Sequence, residues 1–136
     1  MTDTFPITIY HNPDCGTSRN ALAMIEAAGY APTIVEYRKA GWTRPLLVQV
    51  LAAMGARPRD LLRDKGTPAA ELGLLDPSVS DDAIVEAMLQ HPILVNRPIV
   101  VTPKGTKLCR PSEAVLALLE HRPDHFTKED GEVVRP

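Results

Sequence analysis

A strand, a helix and a second strand follow one another near the start of the chain, and this succession constrains the fold most. Ile7-Thr8-Ile9-Tyr10 is a β-branched and aromatic run that ends at the turn-forming pair Asn12-Pro13, which predicts a buried strand. Apolar residues at helical spacing predict a helix over about 16–28, ended by Gly29. Residues Thr33 to Tyr37 then predict a second strand. This succession is a βαβ unit, so we expect an α/β fold. The crossover of such units is right-handed in nearly all known proteins.

The middle of the chain, about 42–90, carries helical patterns and no strand pattern. These patterns predict helices over Arg44 to Met54 and Arg59 to Arg63. A third helix is expected over Ala83 to Gln90, with Ser80-Asp81-Asp82 as its cap. This part is therefore expected to form a helical insertion.

The β pattern returns in the last third of the chain. Ile99 to Thr102 and Thr106 to Cys109 flank the turn Pro103-Lys104-Gly105, which predicts a β-hairpin. Pro111 is expected at the first position of a last helix. The tail at 121–136 is polar and is expected to be loosely held. The order βαβ, helical insertion, ββα is that of a thioredoxin-like fold in a single domain.

Composition and charge limit the classes of function. A chain of 136 residues suits one domain, and 15 Lys and Arg against 17 Asp and Glu give a formal net charge of -2. No whole-chain basic field attracts nucleic acid or an anionic membrane, so any anion site must be local. The start Met1 to Phe5 does not resemble a signal peptide, and no apolar stretch reaches the ~18–20 residues that span a bilayer. We therefore expect a cytoplasmic protein without nucleic-acid or membrane partners.

The two cysteines, Cys15 and Cys109, lie far apart and match neither a disulfide framework nor a zinc-ligand pattern. Both are expected to be thiols, and no metal site is expected. Cys109 falls in a predicted strand, where it is expected to pack in the core.

Cys15 is expected at the N-terminal end of the first helix. Unpaired backbone N–H groups and the helix dipole stabilise a thiolate there, and comparable placements lower the thiol pKa from ~8.5 to about 3.5–7.5. Gly16 lets a substrate approach the backbone closely. Thr17 and Ser18 either donate hydrogen bonds to the sulfur or only serve the start of the helix. His11 either positions or polarises the site, or is satisfied by its surroundings or by solvent.

Residues near Cys15 exclude two kinds of thiol chemistry. A dithiol redox motif needs a cysteine where this chain has Ser18, and a thiol-phosphatase loop needs an arginine where it has Ala21. Cys15 must therefore complete its chemistry with an outside thiol or perform no redox turnover. Asp14 opposes ionisation of its neighbour unless its side chain faces solvent or caps the helix.

Two long motifs resemble those of one family. Tyr10 to Asn20, which reads YHNPDCGTSRN, resembles the active-site signature of the glutaredoxin-linked arsenate reductases. His91 to Pro103, followed by Leu108 to Glu113, is similar to a second run of that family. The resemblance extends from about Ile7 to Phe126. It implies a thioredoxin-like fold with a helical insertion, and reduction of arsenate to arsenite with glutathione as cosubstrate, glutaredoxin as partner and no tightly bound cofactor.

The resemblance also implies roles for single residues. Arg63, Arg97 and Arg110 would bind arsenate, whose tetrahedral oxygens match planar guanidinium groups. The Cys15 thiolate would attack arsenic and expel water, glutathione would attack the adduct, and glutaredoxin would remove the glutathione while arsenite leaves. Arg97-Pro98 resembles the cis-proline element that thioredoxin-like folds place beside the catalytic cysteine, so a cis bond is expected there.

The alternative is a regulator rather than an enzyme. Spx-type transcription factors are similar in architecture, bind RNA polymerase and use a cysteine near the same helix start as a redox sensor. Arg97 and Arg110 distinguish the two hypotheses, because a protein-binding module does not need arginines that converge on the thiol. The sequence therefore favours the arsenate reductase.

Overall fold

The computed structural model describes residues 5–135, which form two compact units. One unit contains the described residues up to Glu36 and from Arg97 onward, and the other contains Tyr37–Asn96. The second unit is longer than the predicted insertion at about 42–90, because Tyr37 begins a helix directly after the second strand. That the two units act as a single domain stays a prediction. The expectation of no signal peptide concerns Met1 to Phe5, of which Met1 to Thr4 lie outside the described residues.

The first unit contains a four-stranded mixed sheet. Its strands are β1 Thr8–His11, β2 Thr33–Glu36, β3 Ile99–Thr102 and β4 Gly105–Leu108, in the order β2-β1-β3-β4. Strand β1 is parallel to β2 and antiparallel to β3, which pairs antiparallel with β4. The predicted βαβ and ββα halves of a thioredoxin-like fold are thus confirmed. Strand β2 is one residue shorter than predicted, and β1 and β4 are each displaced by one residue.

One α-helix and one 3₁₀ helix pack on this sheet. Helix α1, Gly16–Ala27, follows the sequence prediction closely and ends before Gly29, whose φ of 98° lies in the left-handed region. The expected α-helix from Pro111 is instead a 3₁₀ helix over Ser112–Leu118, and Pro111 precedes it in an extended conformation. Buried residues recur there at a spacing of three, which suits a helix with three residues per turn. The core of the unit includes Ile9, Met24, Ile25, Val100, Cys109, Val115 and Leu118.

The tail is more ordered than the sequence predicts. Strands β5 Phe126–Thr127 and β6 Val133–Val134 pair antiparallel as a small hairpin. Phe126 and Val134 pack against the core of the first unit, and Lys128 forms ion pairs with Glu113 and Glu132. The sequence predicted a loosely held tail because the tail is polar. Its two apolar contacts with the core, Phe126 and Val134, are too far apart to give a periodic pattern.

The second unit is helical. Thr43 Oγ1 accepts from Leu46 N–H at 3.3 Å and fixes the predicted start at Arg44. Ser80 Oγ accepts from Ala83 N–H at 3.1 Å, so Ser80 is the cap as predicted, but the helix begins at Asp81, two residues before the predicted start. The predicted helix at Arg59 to Arg63 is shorter, because Leu62 leaves the helical conformation and forms an isolated antiparallel bridge with Val95. The helices are α2 Tyr37–Ala40, α3 Arg44–Met54, α4 Pro58–Leu61, α5 Asp81–Gln90 and a 3₁₀ helix at Pro92–Leu94. Within residues 5–135, no helix is long and apolar enough to cross a membrane.

Candidate active site

The turn between β1 and α1 places Cys15 at the N-terminal end of the helix. Cys15 N–H donates to Asn12 O at 3.0 Å, and Asp14 N–H donates to Asn12 Oδ1 at 2.9 Å. Cys15 itself is the N-cap of α1, where its carbonyl accepts from Arg19 N–H at 2.9 Å. Cys15 is 8% exposed and lies at the end of the helix where the backbone N–H groups of the first turn have no partner within the helix.

Three groups in the first unit donate hydrogen bonds toward the Cys15 sulfur. Burial alone would raise the pKa of the thiol, but the backbone N–H of Ser18 and the guanidinium groups of Arg97 and Arg110 outweigh it and lower the pKa to about 7. Arg110 Nη1 lies 3.7 Å from Cys15 Sγ. A substantial thiolate fraction therefore exists at neutral pH.

The two arginines flank the β3–β4 hairpin in the sequence. Arg97 precedes β3 and Arg110 follows β4, and Arg110 Nη1 donates to Arg97 O at 2.8 Å. The Arg97-Pro98 bond is cis, as expected, and the Arg110-Pro111 bond is also cis, which was not expected. This arrangement brings two positive charges to one thiol within the first unit.

Ser18 links the sulfur to the end of β1. Its backbone N–H bonds to Cys15, while its hydroxyl accepts from Asn12 N–H at 3.1 Å and shares a 2.6 Å hydrogen bond with His11 Nδ1. His11 and Ser18 are both buried. Of the alternatives for Ser18, the geometry supports sulfur contact by the backbone, whereas its hydroxyl holds the strand end.

The other residues near the nucleophile are less engaged. Thr17 is half-buried in the first turn of α1. A Cβ at Gly16 would lie at ordinary contact distance, 3.6 Å, from Arg19 and Glu129, so space alone does not require glycine there. Asp14 is exposed, and a carboxylate that faces solvent opposes the ionisation of its neighbour less. The role of Gly16 in substrate approach stays a prediction.

Cys109 and Arg63 have different environments. Cys109 is fully buried in the core of the first unit, and burial raises its pKa to about 12 against a small opposing effect of Lys107. Its predicted packing role agrees with this environment. Arg63 belongs to the second unit, where its guanidinium donates to Asn96 Oδ1 at 3.2 Å and Lys65 O at 3.1 Å. Its role as an arsenate ligand stays a prediction.

Sequence reasoning did not single out Arg19 and Glu129. Arg19 donates to Pro13 O at 2.8 Å and forms a bidentate pair with Glu129, at 2.8 and 3.0 Å. Arg19 stands inside the quoted motif, but its partner lies 110 positions later in the polar tail, where no local pattern marks it. Over the described part of the chain, no group of three or more His, Cys, Asp or Glu side chains is arranged to hold a metal ion.

Comparison with known proteins agrees with this geometry. The model of the ArsC family matches residues 10–118. The chain is 60% identical over 135 residues to arsenate reductase ArsI1 of Synechocystis sp., covering 98% of this chain and 93% of that protein. It is 56% identical to the arsenate reductase of Escherichia coli K12, covering 94% and 92%. An arsenate reductase structure from Vibrio cholerae superposes with a TM-score of 0.80 at 37% identity, covering 86% of this chain and all of that one.

Proposed function

Because this chain belongs to the ArsC family, we propose that it reduces arsenate to arsenite through a covalent bond between arsenic and Cys15. One observation carries the proposal: a cysteine with a pKa of about 7 lies beside two arginines at a helix N-terminus. A thiolate supplies the nucleophile, and guanidinium groups bind a tetrahedral oxyanion. Relatives named arsenate reductases, at 54–60% identity, support this choice of oxyanion.

The first step joins Cys15 to arsenic. The thiolate forms a sulfur–arsenic bond, and one arsenate oxygen takes up two protons and leaves as water, so arsenic keeps its oxidation state. Arg97 and Arg110 neutralise the remaining oxygens, and their charge-assisted hydrogen bonds strengthen as the leaving oxygen departs. The arginines thus serve both the ionisation of the thiol and the binding of the oxyanion.

Reduction needs two electrons, which Cys15 alone does not supply because Ser18 stands where a partner cysteine would be. Glutathione attacks the adduct and forms a second sulfur–arsenic bond with loss of another water. Glutaredoxin then attacks the glutathione sulfur, a mixed disulfide forms, and the released electron pair reduces arsenic. Water displaces arsenic from Cys15 as arsenite, which regenerates the thiol. Overall, two external thiols become one disulfide.

Arg63 is the third arginine of this proposal. It is half-buried, and hydrogen bonds to Asn96 and Lys65 hold its guanidinium in place. Its inclusion rests on the family resemblance rather than on contacts with the thiol. The regulator hypothesis is not favoured, since the curated relatives quoted above are named enzymes.

The test follows NADPH oxidation that depends on arsenate, with glutathione, glutaredoxin and glutathione reductase present. The wild-type protein is expected to turn over, Cys15→Ser to be inactive, and Cys109→Ser to keep most of its activity, because the pKa of Cys15 is about 7 and burial raises that of Cys109 to about 12.

Equal losses in the two cysteine variants would contradict a single nucleophile. A wild-type protein that is inactive on arsenate but binds RNA polymerase would instead support the regulator. Omission of glutathione or of glutaredoxin separately identifies which thiol the turnover requires.

A further inference from the structure

The first turn of α1 is held from outside by the C-terminal hairpin. Glu129, between β5 and β6, accepts two hydrogen bonds from the Arg19 guanidinium, and its own N–H donates to Asn20 Oδ1 at 3.1 Å. The hydrogen bonds from Arg19 lower the pKa of Glu129, so this carboxyl is charged at neutral pH. Two successive residues of α1 are therefore tied to one residue of the tail.

Arg19 extends this tie across the nucleophile. Its third contact is with Pro13 O at 2.8 Å, on the N-terminal side of Cys15, whereas its own backbone lies on the C-terminal side, directly after Ser18. The Ser18 N–H is one of the donors to the Cys15 sulfur. The guanidinium thus braces both flanks of the cysteine, and Glu129 fixes the guanidinium.

The hairpin that carries Glu129 is itself anchored. Phe126 and Val134 pack against the core of the first unit, and Lys128 pairs with Glu113 at 2.7 Å. Arg19 and Glu129 remain about half exposed, with side-chain exposures of 43% and 49%. Exposed ion pairs contribute little to overall stability, so we expect this pair to affect mainly the position of the turn around Cys15.

We propose that Glu129 is a positioning residue for Cys15, which acts through Arg19 to hold the Pro13 to Ser18 segment around the nucleophile. This inference rests on the proposed function only for its kinetic consequence, because the reactivity of Cys15 can be measured without arsenate. The tail segment at 126–134 is then part of the active-site architecture.

Two roles of Glu129 predict opposite signs for one measurement. If Glu129 were only a negative charge near the thiolate, its removal would lower the pKa of Cys15. If Glu129 positions the turn, its removal lets the Ser18 N–H move away from the sulfur, and the pKa of Cys15 rises toward the ordinary range. Glu129→Gln keeps the size of the side chain and removes its charge, so it distinguishes the two.

The experiment measures iodoacetamide alkylation of Cys15 against pH in the full chain, with the modified site assigned by mass spectrometry. For Glu129→Gln we expect the midpoint to move to higher pH and the rate at pH 7 to fall about two- to threefold, in proportion to the thiolate fraction. In the coupled arsenate assay, kcat falls by about the same factor, while KM for arsenate changes less than about twofold because Arg97 and Arg110 are untouched.

Glu132→Gln is the matched control, since Glu132 lies on the same hairpin and pairs with Lys128 rather than with Arg19. It should alkylate like the wild type. In an Arg19→Gln background, Glu129→Gln should have no further effect, because both act through one contact.

A midpoint that moves to lower pH or stays in place in Glu129→Gln would overturn the proposal, as would an equal change in Glu132→Gln or additive effects with Arg19→Gln. If the wild type does not reduce arsenate, the proposed function fails, yet the alkylation data still decide the role of Glu129.

Discussion

The ionisation of Cys15 is decided by single atoms around its sulfur. Burial favours the neutral thiol, and one backbone N–H and two guanidinium groups favour the thiolate strongly enough to bring the pKa to about 7. These donors therefore favour the thiolate relative to a free thiol. The neighbouring Asp14 carboxylate, which the sequence raised as a concern, is exposed to solvent.

Alkylation tests this balance directly. The rate of Cys15 alkylation by iodoacetamide is expected to rise with pH about a midpoint near 7, since only the thiolate reacts. Arg110→Ala removes a donor 3.7 Å from the sulfur and should move the midpoint to higher pH. Cys15→Ser, which retains only the buried Cys109, should show no fast phase. A wild-type midpoint at or above ~8.5 would contradict the assigned role of the arginines.

The arginines are also expected to resist replacement by lysine. Arg97→Lys and Arg110→Lys should each lower kcat/KM for arsenate about ten- to a hundredfold, since a charge-assisted hydrogen bond contributes roughly 1.5–3 kcal/mol and lysine lacks the planar fork. Phosphate and sulfate should compete with arsenate in the wild type. Steady-state kinetics check both expectations, and Arg63→Ala in the same assay tests the third arginine. Unchanged kinetics in the Arg97 and Arg110 variants would show that these guanidinium groups do not bind arsenate.

At the scale of secondary-structure elements, Ser18 joins α1 to the end of β1. Ser18→Ala would leave Asn12 N–H and His11 Nδ1 without their hydrogen bonds to Ser18 Oγ in a buried environment. We expect a loss of about 1–3 kcal/mol in the free energy of unfolding, measured by urea denaturation. Thr17→Ala, in the same turn but only half-buried, should cost much less. Equal losses would mean that the Ser18 hydroxyl has no special role.

The elements that the sequence predicts well are those with local signals. Helix α3 has Thr43 before it, a proline in its first turn and Gly55 with a φ of 65° after it, and its bounds agree with the prediction. The predicted end of α4 was wrong because Leu62 forms a bridge with Val95. The predicted last helix was wrong in its type, because Ser112–Leu118 is a 3₁₀ helix rather than an α-helix. Such tertiary contacts leave no mark in the local pattern.

In the candidate site, too, only the residue with a local sequence signal could be predicted from the chain itself. The reactive position of Cys15 follows from a strand, a turn and a helix that are adjacent in the chain, so the sequence alone predicts it. Arg97 and Arg110 are ordinary arginines by their local sequence, and only the family resemblance marked them. The Arg19–Glu129 pair joins residues 110 positions apart and was missed. Its detection needs the fold, because neither partner has a distinctive neighbourhood.

At the scale of the whole molecule, the two thiols affect the pH dependence of stability in opposite directions. The pKa of Cys15 is about 7, below that of an unfolded thiol at ~8.5, so its contribution is present above ~8.5 and is lost as pH falls through 7. Burial raises the pKa of Cys109 to about 12, so its contribution is present below ~8.5 and is lost as pH rises toward 12. Considered alone, the thiols place maximum stability near ~8.5.

Urea denaturation of the full chain as a function of pH tests this expectation. Between about pH 7 and 8.5 the free energy of unfolding should rise by up to about 1.4 kcal/mol per pH unit, and above 8.5 the Cys109 contribution should make it fall at a similar rate. Cys15→Ser should remove the rise and keep the fall. Cys109→Ala lowers stability at every pH because it leaves a small cavity, but it should remove the fall above pH 8.5. If the wild type and Cys109→Ala have the same slope there, the thiol of Cys109 ionises as readily in the folded chain as in the unfolded one, and its burial in the core of the first unit is not maintained in solution.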